Sequence, residues 1–510
     1  MSAGESEPEK YSIDEMMERL KTRPSGDPAT DGELVIREDG TQAMKVRKRK
    51  RRSQQPQKEK AVRQRRMRVV QIVSVMVLLM VIAVAAVSIF VYANSAPYRK
   101  GIIAKVTSST GANVELQQFR VNPVGANAES ASFTWPAGNA LKSVTLRGIS
   151  ADVAIASFLG SAWTGDEVLA REGEVHLAGP QSGADLVAQA LPDGKMPVDF
   201  NRLGVAKLNM LLGDKTNPSI KLLGTEASFY PRNVAGRPEL RLNRGELKIA
   251  NWPAFRLDRA RMEFRGQITD VIGIRLFDES DELGYFELSG MVNPFTPEEP
   301  STLNARLEGF PIGTVVGADL GRIFSGRIDS REIADSNYLT FTTGGDSAAK
   351  LVLSVRSGLA SRIEFAGIPA LLAISRALED DWFEHPVFEN EAVAVIRRDI
   401  GSVSITEIAF ESKSRMAVRG EIHLAADQKL RGKLRIGLAD AMISTAPSAA
   451  LAGVFKESSE GFRWVDLVIS GTGAQPLDNF KELYEAALAE AQPGTPKDGG
   501  DDFEDLTRPR

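Results

Sequence analysis

Residues Val69 to Ala93, VVQIVSVMVLLMVIAVAAVSIFVYA, run for 25 positions without a charge or a proline. No other feature limits so tightly what the chain can become. About 20 apolar residues span a bilayer core, so this stretch is long enough to cross with some tilt. Lipid offers no partners to free backbone groups, so a crossing segment must be a helix. The stretch begins after residue 68 and exceeds the ~7–15 apolar residues of a signal peptide, so it reads as an uncleaved anchor. Ala93-Asn94-Ser95-Ala96 is a weak cleavage-like site. Tyr92 and Tyr98 suit an interfacial aromatic belt at the far end.

Charge orients the anchor. The full chain of 510 residues has a net charge of −4, yet it is unevenly spread. Residues 1–68 hold 18 Lys and Arg against 12 Asp and Glu, and 13 of those bases fall between Lys45 and Arg68. Only Arg99, Lys100 and Lys105 closely follow the apolar stretch. The positive-inside rule therefore places the N-terminus in the cytoplasm and residues 94–510 on the far side of an inner, cytoplasmic membrane. The basic run reads as a topology signal that also contacts anionic lipid. The acidic balance of the exported part argues against nucleic acid as a ligand.

Five segments follow. Residues 1–68 form a basic cytoplasmic tail, largely disordered. Within it Ile13, Met16, Met17 and Leu20 give a short amphipathic helix closed by Pro24. Asp31–Val46 reads as a small hairpin or loop with Asp39-Gly40 at its turn. Residues 69–93 are the transmembrane helix, 94–180 an N-terminal β block, 201–491 a long β region with a C-terminal helix, and 492–510 a disordered acidic tail.

The exported part is mainly β. Period-two alternation recurs at Val144 and Leu146, at Leu240 and Leu242, at Leu247 and Ile249, and at Leu351, Leu353 and Val355. It returns at Met416, Val418, Ile422 and Leu424, at Leu434, Ile436 and Leu438, and at Val465, Leu467 and Ile469. The opposite positions are polar, which marks antiparallel sheet with one buried side. Slips of one residue at Gln117-Gln118 and between Ile405 and Ile408 predict bulges, and Asn243–Glu246 around Gly245 reads as a turn or bulge. Helices are few: Ile368–Leu378, Leu477–Ala491 with Asp478 as N-cap, and a candidate near Ala184–Ala190.

Catalytic chemistry is sparse. The chain has no Cys and 3 His, which removes disulfides, thiolate metal sites and a Cys nucleophile. No P-loop, nucleophile-elbow, zincin or dinucleotide motif occurs. His176, His385 and His423 read as surface histidines, and Asp278–Glu282 as a turn between strands. The expectation is a non-enzyme with no cofactor and no metal.

Several segments carry a resemblance. PYRKGIIAKVTSSTGANVELQQF (Pro97–Phe119) follows the anchor. LEGFPIGTVVGADLGRIFSGRID (Leu307–Asp329), the block Val387–Leu438 and WVDLVISGTGAQPLDNF (Trp464–Phe480) continue the pattern. Together these resemble AsmA-like envelope proteins, in pattern from Pro97 to Ala491 and most specifically in the last hundred residues. The resemblance implies a long curled antiparallel sheet with an apolar groove. It also implies a role in holding or moving lipids, phospholipid above all, between the membranes of a double-membraned bacterium.

Physics agrees with the proposal in one respect. A one-sided apolar sheet must be covered by helices, by a second sheet or by a ligand, and helices here are too few for about twenty strands. The candidate groove lining is the set of alternating residues just named, from Leu240, Leu242, Leu247 and Ile249 through Val465, Leu467 and Ile469. The competing expectation is closed β-sandwiches that scaffold an envelope complex and link a protein partner to the cytoplasmic tail.

Overall fold

In the computed structural model the described residues are 33–36, 38–40, 42–45 and 55–491. Within the last range, 123–124, 137, 140, 155–156, 158–162, 178–197, 251, 266–267, 294–299, 334, 342–348, 358–360 and 390–391 are excepted. The expected tail helix near Ile13 and the candidate at Ala184–Ala190 lie outside the described residues. The chain divides into two units, Met1–Val84 and Ala85–Arg510.

The first unit holds a two-stranded antiparallel hairpin, Glu33–Ile36 with Gln42–Lys45. Gly40 takes φ +79° at its turn, a left-handed conformation that glycine adopts without strain. A helix, Gln55–Ala93, begins in this unit and runs into the second. Its stretch Val70–Ala93 is long and apolar enough to cross a membrane. Leu78, Leu79 and Val81 are each 59% exposed, as side chains facing lipid rather than protein would be.

The second unit is built on one large sheet. Its strand order follows the sequence from Asn113–Gln117 to Pro476–Asp478 with few departures. One pairing cycle exists among the described strands. Glu239–Asn243 and Glu246–Ile249 both lie between Pro218–Tyr230 and Phe255–Arg265. They are halves of one strand broken where Arg244 has φ +56° and Gly245 φ +133°. The first and last strands do not pair with each other, so this ring is a local bulge.

The expected bulges are present. Gln118 (φ +49°) separates Asn113–Gln117 from Arg120–Asn122, both paired with Gly125–Thr134. Glu407 (φ +53°) shifts the register between Ile405 and Ile408. Two features differ from expectation. The strands Trp163–Leu177 and Val198–Gly213 pair in parallel, which requires a long connection rather than a hairpin. The sequence supplies it between Leu177 and Val198. Their register also joins the two β blocks expected at 94–180 and 201–491 into one sheet. Early strands are long as well, 13 to 16 residues for Leu141–Val153 through Pro218–Tyr230.

Helices divide the sheet into two parts. From Asn113 to Pro311 no helix covers it among the described residues. From Ile312 onward the helices Ile312–Val316, Pro369–Leu378, Ala449–Val454 and Phe480–Ala491 lie over it. Leu371, Ile374, Leu451 and Phe480 are at most 1% exposed. A side layer adds to this cover: Phe324–Ser330 pairs with Ile363–Phe365, which pairs with Val387–Phe388. Phe324 stacks on Phe365 at 5.4 Å and meets Phe410 of the main sheet edge-on at 6.1 Å. The later half is thus a closed two-layer core, as the mixed apolar and aromatic composition of its inner positions demands.

Candidate functional site

The candidate site is the apolar face of the earlier half, over which no helix lies among the described residues. Strand register lines up its residues in continuous rows. One row runs Val114, Phe133, Val144, Val175, Met210, Leu222, Leu247 and Phe255. A second runs Ala126, Ala151, Val168, Leu203, Phe229, Leu240 and Met262. Period-two side-chain alternation puts each row on one face. Val144, Val175, Val205, Met210, Leu240 and Met262 are only half-buried. Between the two rows the side chains close in over Gly173, where a Cβ would meet Leu208 and Val205 at 2.9 Å.

This face begins beside the end of the long helix. Ala93 is fully buried and packs with Phe119, Val121, Ala126, Val153 and Phe200. Asn94 makes the junction. Its Oδ1 accepts the Val121 N–H at 2.8 Å, and its Nδ2 donates to the Val121 carbonyl at 3.0 Å and to the Phe90 carbonyl at 2.8 Å. Ser95 caps the next helix, Ala96–Thr110, which Gly111 ends at φ +68°. Ser and Pro at the start with Gly just past the end is an ordinary helix signature, and it overlaps the small residues of the weak cleavage-like site.

Two tryptophans pin that helix. Trp163 Nε1 donates to the Tyr98 hydroxyl at 2.9 Å while its ring stacks on Phe119 at 5.2 Å. Trp135 Nε1 donates to the Thr110 carbonyl at 3.0 Å. Burial pushes the Tyr98 phenol up from its usual pKa.

Arg398 marks the transition to the closed half. The second row continues through Val271, Gly290, Leu303, Leu339 and Leu351 to Arg398 and Val403. Arg398 is 5% exposed, and its guanidinium donates to the Val315 carbonyl at 2.6 Å and lies 5.0 Å over the Trp252 ring. Burial pushes its pKa down to about 10. It holds the helix Ile312–Val316 and the turn at Trp252 against one point of the sheet.

The candidate groove residues separate accordingly. Leu240, Leu247 and Ile249 lie half-buried on the helix-free face, with Leu242 4% exposed among them. Leu351, Leu353, Val355, Met416, Val418, Ile422, Leu424, Leu434, Ile436, Leu438, Val465, Leu467 and Ile469 share the same face but are at most 8% exposed beneath the covering layer. The strand Val198–Gly213, which supplies Leu203, Val205 and Met210, escaped the alternation. Register shifts at Val205/Leu208 and Leu208/Met210 break its period.

The histidines hold no joint site. His176 is buried, contrary to expectation, and its Nε2 lies 2.8 Å from the Gly213 carbonyl. His385 and His423 are exposed beside Glu364 and Glu421. Asp278–Glu282 forms a turn in which Asp278 accepts the Ser280 N–H at 2.9 Å. Among the described residues no three His, Cys, Asp or Glu converge as metal ligands. No family model, no curated protein and no solved structure matches the chain.

Proposed function

We propose that the chain is a membrane-anchored lipid-binding protein of the cell envelope. In this reading it is held in the inner membrane by Val70–Ala93, with its N-terminus cytoplasmic and its sheet periplasmic. It holds or passes lipid acyl chains along the helix-free apolar face, the kind of role that the resemblance to AsmA-like proteins implies. One observation carries the reading: a continuous apolar row, half-buried at Val144, Val175 and Met210 and crossed by no helix among the described residues, starts beside the end of the membrane helix. Each methylene removed from water contributes about 0.8 kcal/mol, so seating six stabilises binding by roughly 5 kcal/mol. Strands of 13 to 16 residues extend ~43–53 Å, against the ~15 Å of one leaflet's hydrocarbon. The closed half supports the competing scaffold role for its own part of the molecule, since a dry core offers no seat to a chain.

Site-specific photo-crosslinking in cells labelled with radioactive phosphate tests this. A benzophenone side chain at Val175 or Met210 should acquire labelled phospholipid, whereas one at the exposed Lys207 should not. Equal labelling of all three positions, or none, sinks the lipid reading.

A further inference from the structure

Residues 94–510 are acidic as a whole, with 45 Lys and Arg against 55 Asp and Glu, but they open on a basic stretch. Between Asn94 and Asn122 stand Arg99, Lys100, Lys105 and Arg120 against one acid, Glu115. Two elements bring three of these bases to the point where the long helix ends. Arg99 and Lys100 lie in the first turns of Ala96–Thr110. Arg120 precedes Val121, whose N–H and carbonyl both bond to Asn94. Arg99 links the two elements, since its Nη2 donates to the Phe119 carbonyl at 3.5 Å. Glu115 stands roughly 15 Å back along the strand direction from Arg120, judged by the rise per residue.

These bases are uncommitted. Lys100 and Arg120 are exposed and Arg99 is half-buried, and none of the three enters an ion pair among the described residues. Elsewhere on the sheet Arg202, Arg241, Arg261 and Arg265 each face a carboxylate. Depth in the bilayer gives the difference a meaning. The headgroup layer on each side of the hydrocarbon is ~5–7 Å deep. Between Ala96 and Lys100 the helix rises ~6 Å at most, whatever its tilt. Asn94 is the first residue past the apolar span, and its bonds to Val121 put Arg120 at the same level. With Val70–Ala93 as the anchor, three bases therefore meet the layer of lipid phosphates with no acid among them. Beside them the apolar rows begin, where Val121 and Ala126 pack on Ala93.

We propose that Arg99, Lys100 and Arg120 form a headgroup site for net-anionic phospholipid at the mouth of the apolar face, and that it selects which lipids the face receives. Guanidinium forks and ammonium groups bind phosphate oxygens. A zwitterionic headgroup brings its own ammonium to compete with them for the phosphate, and a net-anionic one does not. The proposal rests on the lipid-binding reading and names its substrate class.

Photo-crosslinking of the full-length protein in nanodiscs of mixed phosphatidylcholine and phosphatidylglycerol tests it. One benzophenone side chain goes at Gly101, which is exposed beside Lys100 and where an added Cβ meets nothing within 4 Å. A second goes at Val175 on the apolar face. Both read lipid locally, so the bases of Lys45–Arg68 at the other end of the span do not contribute. At both positions phosphatidylglycerol should be captured at least threefold above its share of the nanodisc lipid, and less so as salt is raised. The double variant Lys100→Gln/Arg120→Gln should return both to the nanodisc composition, with total capture and melting temperature unchanged. Lys100→Glu/Arg120→Glu should push phosphatidylglycerol below its share. Capture at the nanodisc composition at Gly101 in the native protein, or enrichment that survives the double variant, overturns the headgroup site. Enrichment at Gly101 beside unselected lipid at Val175 overturns its role in selection. Absence of any lipid at Val175 overturns the lipid-binding reading itself, whatever Gly101 captures.

Discussion

Asn94 stands in for a neighbouring strand: its amide gives Val121 the donor and the acceptor that a β-ladder would. Asn94→Ala leaves both backbone groups without that partner, and the local loss should be about 1–3 kcal/mol. Faster amide exchange at Val121, with strands beyond Ile312 unchanged, is the expected outcome. A second prediction concerns Glu239, a buried carboxylate held by Arg241, Arg261 and Asn233. Its hydrogen bond from Arg241, above all, lowers its pKa. A carboxyl with a folded value below its unfolded ~4.3 contributes stability above that value and loses it as pH falls through the folded one. Stability of the native protein should therefore drop below pH ~4.3 more steeply than that of Glu239→Gln. Neither residue stood out in the sequence. Asn94 lies among small residues whose partner is 27 positions away, and Glu239 looks like any charge at a strand start.

Among elements, bulges were the most legible, because a slip in alternation is written locally. Gln118, Gly245 and Glu407 each interrupt pairing where the apolar positions change phase. What lies over a strand is not written locally. Leu240 and Leu353 follow the same period-two pattern, yet one is half-exposed and the other fully buried. The difference comes from helices and a side layer that are distant in sequence. Asp478 shows how that cover is fastened: its carboxylate accepts the Ala370 N–H at 2.7 Å and the Phe480 N–H at 2.9 Å, joining the first turns of two helices. Asp478→Ala should destabilise the closed half by about 2 kcal/mol, and Asp478→Asn, which keeps one acceptor, by less. Denaturant unfolding of the two variants checks the order. On the open face, Val175→Lys should reduce phospholipid labelling at Met210 at least fivefold. Its melting temperature should change little, since a half-buried lysine can extend its amine to water.

For the molecule as a whole, the alternation identified a large one-sided sheet, and the structure assigns its two halves different fates. A closed later half supplies rigidity, and an open earlier half supplies apolar surface. The margins of the sheet then acquire a meaning. At one, the strand is interrupted at Gln118; at the other, Pro476–Asp478 is three residues long and gives way to a helix. Short or broken margins deny a second chain the row of free amides and carbonyls it would need to add on. Roughly eighteen inter-strand steps of ~4.8 Å give a contour near 85 Å. The sheet has the makings of a ruler of fixed length, since neither margin offers a long row of free backbone groups for strand-by-strand extension.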